Sequence, residues 1–463
     1  MSSRFRHDLL LRMVKVGDVL LVAIPFCACW HYYYNRMLNL PFSDRGQILV
    51  DFIYITLFAV FGRTYEAFHI SGNRVQEIFY SQSLSIFFSD LLMYLVLILL
   101  TRDMPEMEPM LLVFAIQEGL ALAWSWLSNK WYYWVFPRRR SAIIYDVRLG
   151  MEELIHQYGL ARKFDVTVAA DAQSCIRDIS MLEEAEVVFL SGIHSHDRNI
   201  ILKYCILHDI DVYVIPRIGD TLMDSARQVH MFHLPMLRVR RYNPTPEFVL
   251  VKRLFDIVSA ALLLILTCPL FLVTAAAIKM EDGGPVFYRQ RRLTKDGREF
   301  DIIKFRSMRV DAEKNGEARL STGLNDDRIT RVGSFIRKLR IDELPQLLNI
   351  LSGSMSVVGP RPERPEIAAQ YEAQMPEFRL RLQGKAGLTG YAQVYGKYNT
   401  QPYDKLQMDL MYFAHPSLLE DMRIIFATIK ILFLPESTEG IKDGQTTAME
   451  SEKSVDEMKS KRE

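Results

Sequence analysis

Between Lys304 and Arg361 the chain gathers cations around one pair of adjacent carboxylates. Lys304 and Arg306 stand in Lys304-Phe305-Arg306-Ser307-Met308, and Arg328, Arg331, Arg337, Lys338 and Arg340 follow. The carboxylates are Asp342 and Glu343, and a Pro360-Arg361-Pro362 triplet comes next. This mixture suits a diphosphate: guanidinium and ammonium groups neutralise phosphate oxygens, while a carboxylate holds a divalent metal or attacks phosphorus. Pro345 predicts a helix opening just after the pair, whose positive end favours nearby anions. Spacing leaves a plainer reading open, with Asp342 as the cap of that helix and the cations as a solvated or lipid-facing surface.

Such a pair has to be held by folded elements, and the chain supplies two kinds. Four apolar stretches come first, Gly17 to Tyr34, Ile48 to Phe61, Leu84 to Leu100 and Met110 to Trp126. Their length and succession predict a four-helix transmembrane bundle over residues 1–137. Arg4, Arg6, Arg12 and Lys15 precede the first stretch, Arg63 and Arg74 follow the second, and Lys130 and Arg138 to Arg140 follow the fourth. The positive-inside rule puts all of these on the cytoplasmic side. Trp30 to Tyr34 is an aromatic cluster suited to a membrane interface, and no small-residue cleavage site follows the first stretch, so it is expected to stay in the mature protein.

Residues 138–245 read differently. Short apolar runs at Ala142 to Tyr145, Val166 to Ala169, Val187 to Leu190 and Val212 to Ile215 alternate with helix-compatible segments such as Met151 to Tyr158. That pattern predicts a parallel, Rossmann-like α/β module. Asp146-Val147-Arg148-Leu149-Gly150 follows the first run where a dinucleotide site would want a glycine-rich turn, so the module is read as structural or regulatory. His194, His196 and Asp197 read as a solvated turn, and Cys27, Cys29, Cys175, Cys205 and Cys268 as thiols.

A fifth apolar run, Ile257 to Ile278, has Pro269 near its middle, Lys252 and Arg253 before it, and Lys279, Arg289, Arg291 and Arg292 after it. Proline bends a helix, and basic flanks on both sides favour a re-entrant helix of about 254–280 over one that spans. It opens an α/β-type catalytic domain over 246–435, and the polar tail 436–463 reads as disordered. The net charge of +1 is spread unevenly over the chain, and no nucleic-acid partner is expected.

From Lys252 to about Leu434 the chain resembles the catalytic domain of bacterial monotopic phosphoglycosyl transferases. The resemblance rests on Lys252-Arg253-Leu254-Phe255-Asp256, Gly284-Pro285-Val286-Phe287, the Lys304 to Met308 motif, Leu339 to Asn349, Val358 to Pro365 and Gly387-Leu388-Thr389-Gly390. The bundle and module are similar to those of the large, polyprenyl-phosphate hexose-1-phosphate transferase type. The resemblance implies transfer of a hexose 1-phosphate from a UDP-sugar to undecaprenyl phosphate, with UMP released, at the start of capsule, exopolysaccharide or O-antigen synthesis. It implies Asp342 as nucleophile, Glu343 as its partner in binding Mg²⁺, Lys304 and Arg306 facing the phosphates, and Arg361, between Pro360 and Pro362, at the nucleotide. Asp409 and Asp421 match two further family aspartates near the site. A homodimer in the bacterial inner membrane, with the catalytic domain on the cytoplasmic face, is also implied.

The sequence departs from the family pattern in three places. Cys268-Pro269 stands where Ser-Pro is usual, Ala386 replaces a Pro, and Tyr391 replaces a Trp. None of these touches the expected chemical residues. A nucleotide-sugar epimerase or dehydratase would need a glycine-rich turn and a Tyr-x-x-x-Lys pair in the module, which shows neither. A non-catalytic scaffold or regulator of polysaccharide assembly would be indifferent to loss of Asp342.

Overall fold

The computed structural model describes residues 3–146, 150–309, 328–396 and 401–432. They fall into two units, Met1–Ile215 and Pro216–Glu463. The expected tail 436–463 lies outside the described residues.

The first unit opens with α1 (Ser3–Cys29), a π-helical turn at Trp30–Tyr34 and a short α2 (Asn35–Met37). Three long helices follow: α3 (Asp44–Thr64), α4 (Val75–Thr101) and α5 (Glu108–Val135). Their inward faces are aromatic. Phe26 stacks on Tyr54 with ring centroids 3.9 Å apart, and Trp30, Tyr34 and Phe58 are buried beside them. Trp30 and Tyr34 therefore belong to the interior, and of the expected interfacial cluster Tyr32 is the exposed member. Polar side chains inside the bundle pair with one another, as they must where no water reaches. Tyr54 donates to Asp90 at 2.8 Å, Gln82 to Asp18 at 2.7 Å, and Gln117 to the Val22 carbonyl at 2.8 Å. The outer faces carry exposed leucines such as Leu99, Leu111 and Leu112. Among the described residues α3, α4 and α5 are each long and apolar enough to cross a membrane.

Behind the bundle lies a four-stranded parallel sheet of order β2-β1-β3-β4, built from β1 (Arg139–Tyr145), β2 (Phe164–Asp171), β3 (Val187–Ser191) and β4 (Asp211–Val214). The helices between the strands are α6 (Met151–Gln157), α7 (Ala172–Arg177) and α8 (Ser195–Leu207). Alternate residues of β1 serve two cores: Ala142 and Ile144 pack with Cys175 and Ile201, whereas Ile143 packs with Ile155 and Phe164. Covering both faces is why the strands read as unbroken apolar runs. The turn after β1 passes through residues outside those described.

The second unit begins thirty residues earlier than the sequence suggested, because α9 (Ile218–Asp224) packs on the later helix α15 (Pro402–Ala414). The hairpin β5 (Arg227–Met231) and β6 (Leu234–Arg238) precedes α10 (Pro246–Asp282). α10 is longer than the apolar run, continues through Pro269, and is the fourth helix able to cross a membrane. Its two ends are gripped while its middle, from Leu262 to Val273, shows large exposed apolar side chains. At the first end Arg253 donates to the Ile350 and Leu351 carbonyls at 2.7 and 2.8 Å, and Asp256 accepts from Ser356 and from the Val357 amide, both at 3.0 Å. At the other end Glu281 accepts from the Arg331 amide at 2.8 Å and Asp282 pairs with Arg306.

Two small sheets support the site. β7 (Phe287–Leu293) and β8 (Glu299–Phe305) form an antiparallel pair. α11 (Arg331–Lys338) and α12 (Gln346–Ser352) lead to β9 (Met355–Val358); α13 (Pro365–Gln374) then leads to β10 (Ala386–Thr389), which pairs in parallel with β9. Gly387 lies so close to the Gly359 backbone that a Cβ there would collide with it, so the Gly-Leu-Thr-Gly stretch is a close chain crossing. α14 (Tyr391–Tyr395), α15 and α16 (Leu418–Leu432) close a core around Leu347, Ile350, Tyr371, Phe378 and Leu410. Each of these large side chains contributes roughly 1.5–3 kcal/mol by leaving water.

Candidate active site

Asp342 and Glu343 sit on a single 3₁₀ turn, Ile341–Glu343, entered through Arg340 at φ 53°. The following helix α12 starts at Gln346 with Pro345 as its N-cap and no side-chain cap. Asp342 is therefore not the helix cap that spacing left open, and its surroundings are set by side chains.

The two carboxylates have opposite environments. Glu343 is buried, and its Oε1 accepts from Lys304 Nζ at 2.9 Å and from Arg361 at 3.0 Å, with Arg340 4.0 Å from Oε2. Burial alone would raise its pKa, but Lys304, Arg361 and Arg340 outweigh that and hold it well below the ordinary carboxylate range. Asp342 is only partly buried and takes no hydrogen bond from the described residues. Burial and the Glu343 charge push its pKa up to about 6, against the opposing pull of Lys304, Arg337 and Arg361. One carboxylate is thus locked as an anion among cations, and its neighbour has no hydrogen-bonding partner among the described residues. Burial lowers the Lys304 pKa, and Glu343 works against that.

The Pro360-Arg361-Pro362 loop is fixed through its backbone. The Pro360 carbonyl accepts from the Gly387 amide at 2.9 Å, Arg361 from Arg381 at 3.0 Å, and Pro362 from Arg292 at 3.0 Å. Arg381 is only 3% exposed and also binds Asp409 at 2.9 Å and Glu363 at 3.2 Å. Neither Arg381 nor Arg292 carries a local pattern that marks it as a loop clamp.

Three of the expected site residues have partners away from the dyad. Arg306 does not join the dyad: β8 ends at Phe305, and Arg306 turns to Asp282 with its guanidinium against Gly284. Asp409 is 1% exposed and occupied by Arg381, so it acts on the loop from beneath and offers no face to substrate. Asp421 is fully buried, bound by Lys252 at 2.6 Å and Tyr412 at 2.8 Å, and ties α10 to α16. Lys304 and Arg361 both meet Glu343, next in the chain to Asp342.

Among the described residues no group of three or more His, Cys, Asp or Glu side chains comes together. The dyad offers two adjacent carboxylates, which is what Mg²⁺ usually takes from protein when substrate phosphates supply the remaining oxygens. The residues present fit that kind of site and do not fit an all-protein cage.

This arrangement of a cation-locked acid, an unbonded acid and a clamped arginine loop lies inside the segment 247–435, which matches the family described as bacterial sugar transferase. The chain belongs to that family. It is 40% identical over 234 residues to the UDP-N-acetylgalactosamine-undecaprenyl-phosphate N-acetylgalactosaminephosphotransferase of Aeromonas hydrophila, covering 50% of this chain and 54% of that one. Over 283 residues it is 38% identical to the UDP-glucose:undecaprenyl-phosphate glucose-1-phosphate transferase of Xanthomonas campestris, covering 57% and 58%. The chain thus spans little more than half the length of these two relatives. A protein of the same name from Caulobacter vibrioides is 40% identical over 209 residues, covering 44% of this chain and 78% of the relative.

If Asp342 must be ionised to react, a pKa near 6 sets the acid limb of the rate profile. Expected is a kcat/KM that is level above about pH 7 and falls roughly tenfold per unit below about pH 6. A profile level down to pH 4.5 would show that Asp342 is not the titrating group.

Proposed function

We propose that this chain moves a hexose 1-phosphate from a UDP-sugar to undecaprenyl phosphate and releases UMP. The names of the relatives support the donor and acceptor classes, and the contrast between Asp342 and Glu343 carries the mechanism. An Asp342 oxygen attacks the β-phosphorus of the UDP-sugar, the bond from that phosphorus to the bridging oxygen breaks, and UMP leaves. An oxygen of undecaprenyl phosphate then attacks the same phosphorus and frees the Asp342 carboxylate. Lys304 and Arg361 face the diphosphate charge, and the fixed Pro-Arg-Pro loop holds Arg361 in place. Asp342 and Glu343 would hold Mg²⁺, which supplies neutralisation of the diphosphate.

The same reading places the protein in the bacterial inner membrane as a homodimer, with the second unit at the cytoplasmic face and α10 entering one leaflet and returning at Pro269. The basic residues on both sides of the apolar run support that topology. The Rossmann-like module is read as structural or regulatory. Transfer of this kind is the opening step of capsule, exopolysaccharide or O-antigen synthesis.

A covalent route splits the reaction into two displacements, so UMP should be released before acceptor is added. The test is a burst assay with membranes of the full chain, UDP-sugar and Mg²⁺, without undecaprenyl phosphate. The expected burst is about one UMP per enzyme, with parallel double-reciprocal plots once acceptor is varied. No burst together with intersecting plots would leave direct attack by the lipid phosphate as the mechanism.

A further inference from the structure

A second candidate site lies in the first unit, between the start of α4 and the end of α5. It is an open cleft of about 580 Å³, with Trp126, Lys130, Tyr133, Trp134, Arg138 and Arg162 among its walls. Neighbouring Arg139 and Arg140 are paired to Asp211 at 2.7 Å and Glu184 at 3.1 Å, whereas Lys130, Arg138 and Arg162 have no carboxylate partner among the described residues. Lys130 Nζ instead lies 5.0 Å from the centroid of the Trp126 ring. Trp126 and Trp134 are 56% and 83% exposed, and Leu122 and Leu127 continue the exposed apolar surface along α5. Three cations, two exposed indoles and an apolar helix face therefore meet at one end of two helices able to cross a membrane.

We propose that this cleft binds the phosphodiester headgroup of an anionic membrane phospholipid. Lys130, Arg138 and Arg162 meet the phosphate charge, and the indoles of Trp126 and Trp134 lie along the upper part of the acyl chains. The undecaprenyl carrier would present similar chemistry, but the Caulobacter vibrioides relative argues for the phospholipid. Undecaprenyl phosphate is in that protein's name, and the 22% of it outside the match is too short for a counterpart of Met1–Ile215. A relative named for the same acceptor thus has no room for this unit outside the match, which favours a resident lipid in the cleft.

The test is thermal unfolding of the full chain in zwitterionic micelles, titrated separately with phosphatidylglycerol, phosphatidylcholine and undecaprenyl phosphate. Phosphatidylglycerol should raise the melting temperature saturably, and raising salt from about 0.1 to about 0.5 M should weaken the effect. Combined Lys130→Gln, Arg138→Gln and Arg162→Gln should raise the half-saturating concentration at least about tenfold. Arg162→Gln alone should raise it about threefold, which keeps the test decisive if the triple variant does not fold. Unchanged saturation in the variants, equal stabilisation by phosphatidylcholine, or stabilisation by undecaprenyl phosphate alone would each overturn the proposal.

Discussion

Asp342→Asn should lower sugar-phosphate transfer by at least about 10³-fold, because the amide cannot form the acyl phosphate through which the reaction is proposed to pass. The substitution is nearly isosteric, and Asp342 takes no hydrogen bond from the described residues, so no partner is orphaned by it. Stability should move the other way. The folded protein holds Asp342 near pKa 6, above its usual value of 3.8, so folding favours the protonated form. The ionised side chain is then destabilising above about pH 6, and that penalty fades as pH falls through the interval and is gone below 3.8. Asp342→Asn should accordingly melt at or above the wild-type temperature at pH 7.5, with the advantage vanishing near pH 4. Radiolabelled UDP-sugar gives the chemical readout: label should stay on denatured wild-type protein and be missing from the variant. Near-normal turnover by a folded Asp342→Asn protein would sink the nucleophile assignment.

The dyad was legible in the sequence because its chemistry is local: two adjacent acids, a nearby Lys-x-Arg and a Pro-Arg-Pro triplet. What the sequence hid was which partner each charge takes. Lys304 and Arg306 are two apart, and in a continuing strand they would share a face. β8 ends between them, so Lys304 reaches Glu343 while Arg306 turns to the end of α10. Asp409 and Asp421 looked like site carboxylates, but their partners Arg381 and Lys252 lie 28 and 169 residues away. Burial of Arg381, Asp409 and Asp421 is a tertiary fact that no local pattern records.

The membrane elements divide along the same line. The apolar runs marked α3, α4, α5 and the middle of α10, since hydropathy is a property of the segment itself. The ends of α10 were invisible as grips. Arg253 reaches carbonyls 97 and 98 residues on, and Asp256 a strand about 100 residues on. Lys252, Arg253 and Asp256 stood in a recognisable motif, and only the fold shows that they fasten the apolar helix to the core that carries the dyad. The second unit starts at Pro216 for a related reason: α15, the partner of α9, lies nearly two hundred residues later.

The second large effect is expected at Arg381, a residue without any sequence signal. Its guanidinium is 3% exposed and meets three acceptors at once: Asp409, Glu363 and the Arg361 carbonyl. Arg381→Met removes the fork and leaves two carboxylates without it, one 1% and one 15% exposed at the side chain. Breaking a buried pair in this way costs about 3–5 kcal/mol, because the remaining charge has neither water nor partner. For a unit of this size that corresponds to a melting temperature lower by roughly 6–20 °C. Arg381→Lys keeps the charge but cannot span three acceptors, so it should recover only part of the loss. Adding Asp409→Leu to Arg381→Met should restore most of the stability, since an apolar replacement of a buried pair is often neutral or better and Glu363 keeps Lys405 and Arg292 nearby. Function separates the clamp from a simple packing role. The Pro-Arg-Pro backbone is left loose in the double variant, so even with stability recovered the KM for UDP-sugar should stay raised about tenfold with kcat less affected. Melting in detergent and initial rates over a range of UDP-sugar concentrations measure both arms. A double variant with recovered stability and a wild-type KM would show that Arg381 fills the core without positioning Arg361.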